Sequence, residues 1–317
     1  SDKKKIKFDL TRANIVVKHV PYWGVDADEI GYVRITKFSK NTAKDFSLAL
    51  NEIKSNEIKG LVIDLRSNSG GLLNNSINIL DKLTDRGVNL LNTRGRIKKA
   101  NRKLNSRRVP AISNEIPIAV LINQSSASAS EIVAGVLQDL DRAVIIGTKS
   151  FGKGLVQSMY NLNDTTTLKV TTAKYYTPSG RLIQRPYKDI GDYYTDLGKD
   201  SREATDSTLA EKPIFTTKKG RHVYGGGGIT PDIFSELDLD FNESTREILS
   251  HPDRLTFQFA GELKNDIEDV YKTFEDFTIS YQLKNKKKDE FFLWLKNQEI
   301  DFERFKEVYT EEIEKKI

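Results

Sequence analysis

Within NQSSASASEIVAG, Asn123 to Gly135, four serines fall in six positions: Ser125, Ser126, Ser128 and Ser130. A serine becomes a nucleophile when a neighbouring group takes its proton and hydrogen-bond donors meet the oxyanion that forms. Ser128-Ala-Ser-Glu131 also fits the capping box Ser-x-x-Glu, which explains the same letters as a helix start. That position lies at the positive end of a helix dipole, which favours an alkoxide or oxyanion beside it. Ala129 would offer its N–H to the same charge. Small residues on both sides of Ser128 leave room for a substrate backbone.

The proton acceptor has few candidates. The three histidines, His19, His222 and His251, do not neighbour a serine in a strand-turn-helix setting. No histidine pair has metal-ligand spacing and HExxH is absent, so no metal or other cofactor is expected. The chain has no cysteine, which excludes disulfides, thiol nucleophiles and cysteine-ligated metal. A lysine remains. In TKSFGKG, Lys153 stands between Gly152 and Gly154 and is followed by apolar Leu155 and Val156. A lysine desolvated in such a setting can serve as a base through its neutral amine, though an ordinary turn lysine fits the segment too. Lys149 is the rival, without the flanking glycines. A third feature is Ser69-Gly70-Gly71, where glycines let backbone N–H groups approach developing negative charge. Read alone, it is equally a tight strand-to-helix connection.

The elements around these residues follow a repeated plan. IGYVRITKF, from Ile30, alternates as a strand, and NTAKDFSLALNEIKS carries Phe46, Leu50 and Ile53 at helical spacing. GLVIDL, IPIAVLIN and RAVIIG are short apolar runs suited to buried parallel strands, the first two followed by a polar turn and a helical period. This succession predicts a parallel sheet with crossover helices. VQSMYNL and TTLKVTTAKYY alternate around NDTT and predict a hairpin. Tyr187 to Lys219 reads as a polar surface excursion, and Gly225 to Gly228 as a flexible turn. From Leu237 the texture is charged, with Phe291, Trp294, Leu295, Phe302, Phe305 and Val308 at helical spacing, which predicts a helical appendage.

With 317 residues, 38% hydrophobic and 30% charged, the chain can bury a full core. No apolar run reaches the roughly 18 residues of a membrane span. RGRIKKANRKLNSRR, Arg94 to Arg108, holds eight basic side chains and no acid. It reads as a solvated loop. Without an aromatic residue to stack on bases it makes a poor nucleic-acid site, and a carboxylate-attracting rim near a peptide site is the third reading.

SSASASEIVAGVLQDLDRAVIIGTKSFGKGLVQ resembles the core of the C-terminal processing peptidases, or tail-specific proteases. GYVRITKF, VIDLRSNSGG, LKVTTAKYYTPSGRLIQ and GITPDI resemble the same family in its usual order, across roughly Phe8 to Phe234. The long polar insertion and glycine-rich last motif are similar to Bacteroidetes forms. The resemblance implies an α/β fold of crotonase/ClpP-like type, with a parallel-sheet core, an added β-hairpin region and a C-terminal helical appendage. It implies a serine endopeptidase with Ser128 as nucleophile, Lys153 as base 25 positions later and Gln157 positioning the lysine. Ala129 and either Gly70 or Gly71 would donate to the oxyanion. Polypeptide substrates, a periplasmic or cell-envelope location and no nucleic-acid partner are the matching expectations. The family usually places a PDZ domain first, whereas KFDLTRANIVVKHV precedes GYVRITKF here. The expected division is therefore a lead-in segment (1–29), a peptidase domain (30–236) and a helical region (237–317). A homologue that holds peptides or apolar ligands without turnover is the alternative.

Overall fold

The computed structural model describes residues 11–13, 15, 17–186, 212–235, 248–268, 270–271 and 285–297. The chain divides into two compact units, Ser1–Glu236 and Leu237–Ile317. The first unit begins with β1 (Tyr22–Val25), β2 (Ile30–Arg34), α1 (Thr42–Lys54), β3 (Gly60–Asp64) and α2 (Leu73–Leu83). Then come β4 (Asn89–Arg94), β5 (Arg102–Asn105), β6 (Ile118–Ile122), α3 (Ala129–Asp139) and β7 (Ala143–Gly147). It closes with β8 (Leu155–Asn161), β9 (Thr167–Tyr176), β10 (Ile214–Thr216), β11 (His222–Tyr224) and β12 (Ile233–Phe234).

The main sheet has the order β1-β2-β3-β6-β7-β12. All its neighbours pair in parallel except the edge strand β1. The reason lies in the apolar runs: Leu61, Ile63, Val120, Ile122 and Ile145 are buried among the helices. Parallel strands also need crossovers, and α1 and α3 connect β2 to β3 and β6 to β7. Every residue of α3 is buried, including Glu131, Gln138 and Asp139. A helix apolar on most sides has no solvent face to present. Its first turn is therefore fixed by packing on all sides, which suits a site that must hold one geometry.

A second, antiparallel sheet has the order β5-β4-β9-β8. The alternating segments form the hairpin β8–β9, closed by Asn163, whose Oδ1 accepts from the N–H groups of Thr165 and Thr166. The basic stretch is only in part a loop. Its first residue ends β4, and Arg102 to Asn105 return as edge strand β5. Arg94 stacks 4.6 Å from the Tyr176 ring centre, and Arg108 lies 3.5 Å from Asp81. Charged side chains on an edge strand discourage pairing with another chain, so this composition has a folded purpose that no helical or alternating apolar signal announces.

The predicted excursion falls largely on 187–211, outside the described residues; its end forms the β10–β11 hairpin. In the second unit, α4 (Leu255–Glu268) and α5 (Asn285–Asn297) share a small core of Leu255, Phe259, Leu263, Phe291 and Leu295. The Phe259 and Phe291 rings lie 4.9 Å apart. Phe302, Phe305 and Val308 lie outside the described residues.

Candidate active site

The C-terminal ends of β3, β6 and β7 carry the three sequence features, as open parallel sheets require of a site. After β3 the chain turns through Ser67 to Gly71. Asp64, fully buried, anchors that turn: Tyr32 Oη donates to it at 2.7 Å, and Arg66 approaches with Nε at 3.0 Å and Nη2 at 2.8 Å. Burial alone would raise the Asp64 carboxyl. The bonds from Arg66 and Tyr32 outweigh it and hold the group below the ordinary carboxylate range.

Asn68 then joins the glycine turn to the serine loop. Its Nδ2 donates to the Ile35 carbonyl at 2.8 Å and its Oδ1 accepts from Gly70 N–H at 2.9 Å. Its carbonyl accepts from Ala127 N–H at 3.0 Å and from Ser130 Oγ at 2.8 Å. Gly70 lies so close to the serine loop that a Cβ there would fall 2.7 Å from Ser128 Cβ and 2.9 Å from Ala129 N. Gly71, at φ +143°, has its Cα against the Phe38 carbonyl, 2.2 Å from where a Cβ would stand. Both positions must be glycine for the turn to approach so closely. Gly70 N–H is engaged by Asn68, whereas Gly71 N–H has no partner among the described residues.

The four serines separate by environment. Ser126 Oγ donates to the Leu65 carbonyl at 2.8 Å and Ser130 Oγ to the Asn68 carbonyl, both fully buried and structural. Ser125 is exposed. Ser128 caps α3 with φ 55° and ψ −110°, a backbone conformation that residues with a Cβ rarely adopt. Strain of this kind persists only where surrounding structure imposes it, and it clusters at functional sites.

Glu131 imposes much of it. The sequence motif marks Glu131 as half of a capping box, and its Oε2 does accept from Ser128 N–H at 2.7 Å. The same oxygen accepts from Lys153 N–H at 2.8 Å, while Oε1 accepts from Gly152 N–H and Ser150 Oγ, each at 2.6 Å. One buried carboxylate thus ties the head of α3 to the lysine loop. Burial drives its carboxyl above the ordinary range, and the bonds from Ser150, Lys153, Gly152 and Ser128 oppose that without cancelling it. Lys153 is further pinned by its carbonyl, which accepts from Tyr175 Oη, and by Arg185 N–H on the Gly152 carbonyl at 3.0 Å.

Gly225 to Gly228 are not a flexible turn. Gly228 N–H donates to the Ile183 carbonyl, and the next residue, Ile229, donates to Ser150 Oγ at 2.6 Å. A Cβ on Gly228 would fall 2.4 Å from the Ser150 carbonyl oxygen. The glycines permit close packing against the lysine loop, and in sequence that use looks the same as flexibility.

These loops open onto a cleft of about 600 Å³. Ser128, Ala129, Gly70, Gly71, Lys153 and Gln157 all line it, together with apolar Leu72, Ile132, Leu155, Val156 and Met159. Gln157 follows a slip in the β8–β9 register between Val156 and Gln157, where the extra residue, Thr172, lies on β9. Lys149, His19, His222 and His251 do not line it. Among the described residues no group of three metal-ligating side chains occurs, and no helix is long and apolar enough to cross a membrane.

Several known proteins are similar in sequence or structure to this chain. A carboxy-terminal-processing protease of Bartonella bacilliformis is 45% identical over 185 residues, covering 57% of this chain and 42% of that protein. The carboxy-terminal processing protease CtpB of Bacillus subtilis is 35% identical over 188 residues, 58% of this chain and 38% of its own length. The chain therefore spans about two fifths of these relatives. The solved structure of a photosystem II D1 C-terminal processing protease superposes with a TM-score of 0.50 at 28% identity, covering 71% of this chain and 50% of that one. The profile of peptidase family S41 matches residues 29–190, half of the chain, and the protein belongs to that family.

Proposed function

We propose that the protein is a serine endopeptidase of the C-terminal processing type, cleaving polypeptides through an acyl-enzyme on Ser128. The observation that carries this reading is the cleft itself. Of the four clustered serines, the one that lines it is the one with the strained backbone, and it shares that cleft with Lys153. In the proposed reaction Lys153 accepts the Ser128 proton as Oγ attacks the peptide carbonyl. The C–N bond breaks as the lysine returns the proton to the leaving amine, and water then hydrolyses the ester. Gln157, on the strand that follows the lysine loop, holds the amine in position.

The donors for the tetrahedral oxyanion are the N–H groups of Ala129 and Gly71. Ala129 is the first residue of α3, where an N–H has no partner within the helix. Gly71 is preferred to Gly70 because the Gly70 N–H already serves Asn68. The names of the relatives support processing or degradation of proteins by their C-terminal ends, and envelope or periplasmic proteins are the proposed substrates. Digestion of an unfolded protein by the wild type beside Ser128→Ala tests the reading. Fragments with the wild type alone are expected. Equal fragmentation by both, or by neither, overturns it.

A further inference from the structure

Among the described residues, those lining the cleft include four charged side chains, Lys37, Lys40, Lys153 and Lys169, and no aspartate or glutamate. Bulk composition does not account for this, since the chain holds 50 basic and 45 acidic residues. Lys153 belongs to the proposed chemistry, which leaves three. Lys37 and Lys40 bracket Phe38, whose N–H donates to the Gly70 carbonyl at 2.9 Å and whose carbonyl accepts from Leu72 N–H at 2.7 Å. They are thus held beside the glycine turn. Lys169 comes from the second sheet, on β9, directly across from Met159 of β8. Two unrelated parts of the fold therefore place cations around one cleft. All three side chains are exposed, and none forms an ion pair among the described residues. Glu131 does not neutralise them from the cleft side: it is fully buried behind Ser128, with its oxygens taken by four donors.

We infer that the cleft selects peptide segments bearing a carboxylate close to the scissile bond, with Lys37, Lys40 and Lys169 as the residues that set this preference. The remaining lining, with Leu72, Leu73, Ile132, Leu155, Val156 and Met159, accepts apolar side chains beside it. The favoured segment is therefore apolar and acidic, and a lysine- or arginine-rich one is disfavoured. The carboxylate is either an acidic side chain or the free end of the substrate chain. This inference rests on the endopeptidase reading and adds a substrate class to it. Each solvent-exposed ion pair contributes only a few-fold. Three acting together give about a tenfold preference in kcat/KM at low salt, shrinking as ionic strength rises.

The test uses a peptide spanning a site that the protein cleaves in an unfolded substrate. It is made in four versions: with glutamate or glutamine beside the scissile bond, each with a free or amidated C-terminus. Higher kcat/KM for a carboxylate-bearing version, declining toward the neutral one in about 0.5 M salt, is expected from the screening length. Loss on Glu→Gln identifies a side chain as the ligand, and loss on amidation identifies the chain end. The triple variant Lys37→Gln, Lys40→Gln, Lys169→Gln should bring the ratio toward one. Lys98→Gln, Lys99→Gln, Lys103→Gln removes equal charge from the β4–β5 hairpin and should leave the ratio alone. Equal cleavage of all four versions overturns the inference while the endopeptidase reading stands. A ratio that the hairpin variant lowers as much as the cleft variant also overturns it, because net charge would then be the cause. Cleavage of no version and no protein removes both.

Discussion

At the scale of single residues, Ser128 carries a backbone cost that its proposed role as nucleophile would explain. Its φ of 55° and ψ of −110° suit glycine better than any residue with a Cβ. Replacing it with glycine should relieve strain worth about 1 kcal/mol or more, whereas alanine keeps the Cβ and the strain. Ser128→Gly is therefore expected to melt at a higher temperature than Ser128→Ala, with both inactive. Equal melting temperatures would mean that the backbone there is relaxed. The candidates Ser128, Lys153 and Gln157 were legible because their spacing sits in long family motifs. Asn68 was not. Its work consists of bonds to the backbone of Ile35, Gly70 and Ala127, and an asparagine in a polar turn gives no sign of such partners. Nor could the letters Gly70-Gly71 show which N–H was left free.

At the scale of elements, the site depends on loops from three strand ends staying in register: Asn68 joins the glycine turn to the serine loop, and Glu131 joins the serine loop to the lysine loop. Glu131→Gln keeps the shape but turns one acceptor into a donor facing N–H groups. A buried donor left without a partner costs about 1–3 kcal/mol. The expected result is a lower melting temperature and a fall in turnover on the order of 100-fold, since small displacements near the chemistry have effects of that size. Unchanged turnover in the folded variant would reduce Glu131 to a helix cap. Gly228→Ala tests the same register from the other side. Its Cβ has no room beside the Ser150 carbonyl at φ +72°, so destabilisation of about 1–3 kcal/mol is expected. Thermal melting of the purified variant checks it. The parallel strands were legible because apolar runs of this length have few other uses. The β4–β5 hairpin was not, because its edge-strand charges hide the alternation. Gly225 to Gly228 failed for a related reason: glycine signals freedom and close packing alike.

At the scale of the whole molecule, acid stability depends on carboxylates of opposite tendency. Asp64 and Asp141 are held below the ordinary range, burial being outweighed by bonds from Arg66 and Tyr32 at the first and from Arg221 and Lys219 at the second. Their contribution is present above the unfolded carboxylate pKa of about 4 and is lost as the pH falls through the lower folded values. Glu131 is raised, so its contribution is full below about pH 4.3 and declines as the pH rises through its folded value. Asp64→Asn should therefore flatten the drop in melting temperature between about pH 5 and 3. An unchanged slope would place the acid limb elsewhere. All of these arrangements serve one claim, that Ser128 is a nucleophile activated by Lys153. The direct measurement is the rate and site of covalent labelling by a serine-directed phosphonate, read by mass spectrometry of the intact protein and its peptides. A single adduct on Ser128 is expected in the wild type, none in Ser128→Ala, and labelling slowed at least about 100-fold in folded Lys153→Ala, since positioned general bases contribute about 10²–10⁴-fold. Lys153→Arg should not restore it, because a guanidinium stays protonated. Lys149→Ala and His222→Ala should label normally. Wild-type labelling of Lys153→Ala, or an adduct that persists in Ser128→Ala, would contradict the account.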